Sequence, residues 1–202
     1  MAVGASSIPS RAHSARAVDA PWVLLIYTVP AQPSRKRAAI WREVKRLGAI
    51  YLRDGVCALP ERDGTTVALR TLATRVAAFG GEATLAAGTR LDPARAAGLV
   101  AGNRADRAAE WVEIGDEAER LLGHLRREAL HRALRPVELA ALARDLDKLR
   151  RWADQVRARD YFGGEGAVQV TDVLARCDET LAAFSDDGPR RGSEGSGGSD
   201  RR

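Results

Sequence analysis

The stretch from Trp22 to Leu59, WVLLIYTVPAQPSRKRAAIWREVKRLGAIYLRDGVCAL, narrows the choice of fold more than any other part of the chain. It opens on Trp22 to Val29, apolar without alternation, the pattern of a central strand covered on both faces. Pro30 and Pro33 stop that strand. A strongly basic helix is expected from Ser34 to Leu47, with Ser34 as its N-cap, Ile40, Val44 and Leu47 on its buried side and Gly48 as its stop. Asp54-Gly55 then joins two short strands, and this dipeptide favours a two-residue type I′ turn. Counted outward from the turn, Arg53 faces Val56, Leu52 faces Cys57, Tyr51 faces Ala58 and Ile50 faces Leu59. Alternation then assigns Ile50, Leu52, Cys57 and Leu59 to the core face, and Tyr51, Arg53, Val56 and Ala58 to an open one. Cys57 is thereby a small buried hydrophobe, not a reactive thiol.

After a polar loop from Glu61 to Gly64, Leu69, Leu72, Ala73, Val76 and Phe79 recur at helical spacing, so a second helix is expected from Thr66 to Phe79. Gly80-Gly81 ends it, and Glu82 to Ala87 reads as the last strand. The order β-α-β-β-α-β is that of the ferredoxin-like α+β fold. From Asp92 onward the spacing is helical throughout, weakened at first by Gly98 and Gly102. Trp111, Ile114, Ala118, Leu121 and Leu125 form one stripe; Leu139, Leu142, Leu146, Leu149, Ala153 and Val156 form another after Pro136, a helix-starting residue. The two stripes predict an antiparallel helical hairpin. A third helix from Ala167 carries Val170, Val173, Cys177, Leu181 and Phe184. The chain therefore divides into a leader (1–20), a ferredoxin-like domain (21–90), a helical extension (91–184) and a tail (185–202). The leader is rich in Ala and Arg and lacks the apolar core of a signal peptide, and the tail has no apolar residue; both are expected to be disordered.

With 45% apolar residues the 202-residue chain can bury a core, and no apolar run reaches the length of a membrane span. Cys57 and Cys177 fall outside any paired cysteine or Cys/His metal spacing, which fits a reducing cytosol. The formal net charge is +5, and it is concentrated. The first helix holds Arg35, Lys36, Arg37, Arg42, Lys45 and Arg46 against Glu43 alone, so the rest of the chain is neutral in sum. Arg35, Lys36 and Arg37 occupy the first turn, where cations oppose the helix dipole at about 0.3–1 kcal/mol each. A phosphate-bearing partner would offset that cost, since a helix start with three cations is an anion site. The other reading of the same residues is a solvated arginine-rich face with no partner. Trp41, beside the apolar stripe, is assigned to the core. No aromatic then sits among the cations, and contact with the nucleic-acid backbone without base readout is expected.

Tyr27-Thr28-Val29-Pro30, Pro33-Ser34-Arg35-Lys36-Arg37, Lys45-Arg46-Leu47-Gly48-Ala49 and Asp54-Gly55-Val56 together resemble the N-terminal domain of the chromate-resistance protein ChrB family. Leu149-Arg150-Arg151-Trp152 and Arg159-Asp160-Tyr161-Phe162-Gly163 resemble that family's second signature, and the likeness runs from about residue 21 to 184. It implies a regulator of chromate resistance that binds DNA near a transporter operon and responds to an oxyanion such as chromate; the cysteine usage adds a cytoplasmic location, and the weak enzyme signatures a non-enzymatic role. Longer family members continue into a second domain, and this chain has the tail in its place.

The same core with a basic first helix is also similar to the ferredoxin-like nucleases of CRISPR spacer acquisition. Their metal-holding aspartate ends the first strand, where this chain has Thr28; Asp54 on the hairpin turn is the nearest carboxylate on offer. His13, His124 and His131 have no acid or cysteine at metal spacing, and no phosphate-binding glycine loop is present, so no cofactor or metal is expected. Arg159-Asp160 is read as an ion pair seating Tyr161 and Phe162 against the sheet. Thr28 at the end of the first strand disfavours metal-dependent hydrolysis, so a divergent nuclease is a minority reading and two function classes stay open. In one, a DNA-associated regulator, Arg35, Lys36, Arg37, Arg42, Lys45 and Arg46 meet phosphates, with Arg53 on the open sheet face as a lesser contributor. In the other, a dimerisation module, the apolar side of the first strand and the helical hairpin form a subunit interface.

Overall fold

The computed structural model describes residues 20–131 and 135–186. The expected leader, the turn joining the two long helices, His13 and the tail beyond residue 186 lie outside the described residues. Four strands, β1 (Trp22–Thr28), β2 (Ile50–Arg53), β3 (Val56–Pro60) and β4 (Glu82–Thr89), form one antiparallel sheet in the order β2-β3-β1-β4. Helix α1 (Ser34–Arg46) connects β1 to β2, and α2 (Asp63–Ala78) connects β3 to β4. This is the expected βαββαβ order in a mixed α+β fold. Three helices follow: α3 (Pro93–His131), α4 (Pro136–Ala158) and α5 (Ala167–Asp186). Two compact units share these helices. Among the described residues, one holds the sheet, residues 20–112 and residues 153–167; the other holds residues 113–131, 135–152 and 168–186.

In the sheet unit both faces of the sheet are covered. On one, Val23, Leu25, Cys57 and Leu59 pack against Ile40 and Val44 of α1 and Leu69, Leu72 and Val76 of α2. On the other, Trp22 and Ala58 pack with Ala96, Leu99 and Val100 of α3 and with Phe162. The apolar run at the start of β1 is thus explained, because the strand is central and is covered on both sides from Trp22 to Leu25. The face read as open is covered over Trp22 and Ala58, while Ile26 farther along β1 is 46% exposed.

The hairpin departs from the derived register. Arg53 does face Val56 across the Asp54-Gly55 turn, but Tyr51 faces Cys57 and Ile50 faces Ala58, with an irregularity between Tyr51 and Arg53. One extra residue on β2 shifts the pairing, and with a side-chain period of two a single-residue slip exchanges the faces. Ile50 and Leu52 therefore join the Trp22 cluster, and Tyr51 joins the helix-covered side, where its hydroxyl lies 3.2 Å from that of Tyr27. The β3 half of the reading holds, with Cys57 and Leu59 fully buried.

Two helix boundaries also shift. Pro33, not Ser34, is the N-cap of α1, with no side-chain cap bond. α2 begins at Asp63 because the Thr65 hydroxyl accepts the Arg62 amide, which turns the expected loop into the first turn. α3 runs unbroken through Gly98 and Gly102. In the helical unit the buried residues are Ile114, Ala118, Leu122, Leu125, Leu146, Val170, Val173, Leu174 and Cys177, with Leu122 in the place expected for Leu121. Cys177 donates to the Ala118 carbonyl at 3.5 Å, so both cysteines are packing residues as expected.

Burial pushes the Cys57 thiol up to about 12. The native state keeps the neutral thiol, while the unfolded chain ionises from about pH 8.5. The stabilisation this provides is fully present below that pH and is lost as pH rises toward about 12. Tyr51 and Tyr161, also raised by burial, act in the same direction above pH 10. Wild type should lose up to about 1.4 kcal/mol more per pH unit than Cys57→Ala over the alkaline range, read from urea midpoints at several pH values. Parallel pH dependence of the two proteins would refute the burial.

Candidate nucleic-acid interface

α1 owes its position to one narrow apolar row. Ile40 and Val44, one turn apart, are the residues it buries against the sheet. Everything more than about a quarter turn from that row faces solvent, and most of it is cationic. Arg35, Arg37 and Arg42 are exposed and have no side-chain partner among the described residues. No acid occupies the first turn, so the charge there opposes the dipole unrelieved.

The other predicted cations have internal contacts. Lys36 is half-buried; its ammonium donates to the Phe79 carbonyl at 3.0 Å and lies 5.8 Å from the Phe79 ring centre, which ties α1 to the end of α2. Arg46 is paired with Glu43 through two hydrogen bonds. The bond from Arg46 holds the Glu43 carboxyl below the usual carboxylate range. Arg75 of α2 approaches the same carboxylate at 4.0 Å. It is a cation that sequence reasoning missed, because only the packing of α2 beside α1 brings it there. Glu43 is thus shared by two arginines, and the face keeps a large positive excess. Arg53 is exposed at the end of β2, opposite Val56 as expected, but the sheet face on which it was placed is covered over Trp22 and Ala58.

Trp41 is the main correction. It is 54% exposed and lies outside the core. It follows Ile40 by one residue, roughly 100° around the helix, and the sheet covers only the Ile40–Val44 row. The Lys45 ammonium stands 5.8 Å from its ring centre. An aromatic therefore does sit among the cations, and the signal that could have shown it is the spacing of Arg37, Trp41 and Lys45, four residues apart each.

The second signature residues hold this helix in place. Arg159 pairs with Glu110 at 2.8 Å and not with Asp160. Asp160 instead accepts the amides of Gly163 and Gly164, both at 2.9 Å. Between them the Tyr161 hydroxyl donates to the Leu47 carbonyl at 2.7 Å, closing the end of α1. Tyr161 and Phe162 thus are seated against the sheet, by anchors different from the expected pair.

Beside Lys45 a cleft of about 280 Å³ is lined by Tyr51, Gly98, Gly102, Asn103 and Arg107. Asn103 Oδ1 and Arg107 Nε are buried there without a hydrogen-bond partner. The pair can receive a small polar group that donates to one and accepts from the other. Among the described residues no three of His, Cys, Asp and Glu come together in a way that would hold a metal ion, and no helix is long and apolar enough to cross a membrane.

Comparison with known proteins places residues 37–190 in the family described as Protein ChrB, N-terminal. Protein ChrB of Cupriavidus metallidurans is 29% identical over 154 residues, 75% of this chain and 44% of that protein. The chain thus spans less than half the length of the curated relative it matches. No solved structure matches.

Proposed function

The chain belongs to the ChrB N-terminal family, and from that premise we propose that it is a regulatory protein of chromate resistance that associates with DNA through the phosphate backbone, using α1. The observation that carries this is the set Arg35, Arg37 and Arg42, three exposed guanidiniums on one helix with no carboxylate partner among the described residues. Some exposed arginines elsewhere, Arg120, Arg135 and Arg157, have an acid one turn away as partner, while others, Arg70, Arg144 and Arg151, are scattered singly over other helices. Cations left unpaired at a helix start are what an external polyanion requires. Lys45 adds a fourth contact to the same face. Such contacts fix position on the duplex without reading its sequence.

The test is duplex affinity against salt. With about four phosphates neutralised, the logarithm of the binding constant should fall with the logarithm of salt at a slope of roughly −3 to −4. Absence of binding at low salt, or a slope near zero, would remove the proposal.

A further inference from the structure

We propose that Trp41 is a stacking platform for an unpaired base, so that the nucleic acid α1 engages contains a single-stranded or melted segment. This rests on the reading of α1 as a phosphate-binding element and adds the class of partner.

Trp41 is one of the few large apolar side chains left in water by the sheet unit, and it stands in the middle of the cationic face. Arg37 precedes it by one turn and Lys45 follows it by one turn, so the three form a single row along the helix. Each step along that row is about 6 Å, which flexible Arg and Lys side chains can span to the phosphates flanking a single nucleotide. Arg42 and Arg35 lie on the neighbouring outward face, within the same positive field.

The indole is 54% exposed, and the Lys45 ammonium 5.8 Å from its centre is the contact it makes within the helix. A base can take that place while the ammonium moves to the adjoining phosphate. An intact duplex would hold its bases stacked on one another and leave the indole idle. Cations tracking the backbone with an aromatic between them are instead the elements by which proteins hold single strands, since every base has a π face.

Binding of a labelled oligothymidylate of about 15 nucleotides, a length within known single-strand site sizes, and of a duplex of equal length would be compared for wild type, Trp41→Ala and Trp41→Phe. The exposed position of Trp41 means that neither variant disturbs the core, and thermal unfolding verifies this. Trp41→Ala should lose roughly 5- to 100-fold in single-strand affinity, the effect of removing one base–aromatic stack, and less than about twofold for duplex. Trp41→Phe should fall between. Single strand should also quench wild-type tryptophan fluorescence, and Trp41→Phe should remove most of that quenching, because Trp22 and Trp111 are 1% exposed and the fourth tryptophan, Trp152 of α4, is half-buried and off the α1 face. If Trp41→Ala leaves single-strand affinity unchanged while duplex binding keeps its salt slope, the stacking role is wrong and the phosphate reading survives. If wild type binds neither strand form, both fall.

Discussion

Replacing Arg35, Arg37 and Arg42 together by alanine is expected to weaken duplex binding by about two to three orders of magnitude at about 0.1 M salt, and to flatten the salt slope by roughly 2.7. Each phosphate contact contributes about 0.9 to that slope, and these three side chains have no other partner among the described residues. Lys36 is deliberately left in place. Its bond to the Phe79 carbonyl and its seat on the Phe79 ring make it part of the α1–α2 packing, so its loss would mix a folding effect with a binding one. The thermal midpoint of the triple variant should hold or rise. Arg35 and Arg37 oppose the dipole in the first turn, and removing such cations returns about 0.3–1 kcal/mol each; alanine at position 42 is a good helix former. Binding and stability thus move in opposite senses, which is the signature of residues kept for a partner. A triple variant that binds as wild type does would defeat the assignment, and one that unfolds early would show the arginines to be structural.

Gly81→Ala should cost about 3 kcal/mol or more and lower the thermal midpoint by roughly 10 °C. Gly81 lies between the end of α2 and the start of β4, and its amide donates to the Val76 carbonyl at 3.0 Å. A Cβ built there overlaps the Thr28 carbonyl and lies 2.9 Å from Val76 Cγ1. The first of these is backbone at the end of the central strand, paired with Glu82, so no rotamer change relieves it. Either β1 and β4 separate at that end or α2 is pushed off the core. Gly98→Ala provides the opposite sign. That residue is inside α3 with open space around it, and alanine there should raise stability by about 0.5–1 kcal/mol. Chemical denaturation of the two variants decides the matter; equal effects would mean that the contact at Gly81 is not rigid.

These outcomes depend on features that were unequally legible. The row Ile40, Val44 showed which side of α1 is buried, and the excess of cations over Glu43 showed which side is charged. Trp41 was misassigned because adjacency to an apolar stripe was taken for membership in it. The width of a buried stripe is set by what covers it, and here the sheet covers little beyond the Ile40–Val44 row. The turn at Asp54-Gly55 was readable from two residues, but the irregularity near Leu52 was not. It arises where β2 must match a β3 strand already paired with β1, a demand made by residues distant in the chain. Arg159 and Asp160 were correctly singled out as anchors, yet their partners, Glu110 and the Gly163 and Gly164 amides, were not predicted.

From its amino-acid order alone this protein is bound to a βαββαβ core followed by helices, with one cationic helix after the first strand, because periodicity, turn residues and local charge act between near neighbours along the chain. Tertiary structure decided the rest. It covered the second face of the sheet over Trp22 and Ala58 with α3 and Phe162, flipped β2 by one residue, drew Arg75 and Arg46 to a single carboxylate and left Trp41 in water. Each of those results depends on which surface happens to lie opposite, and sequence spacing carries no record of that.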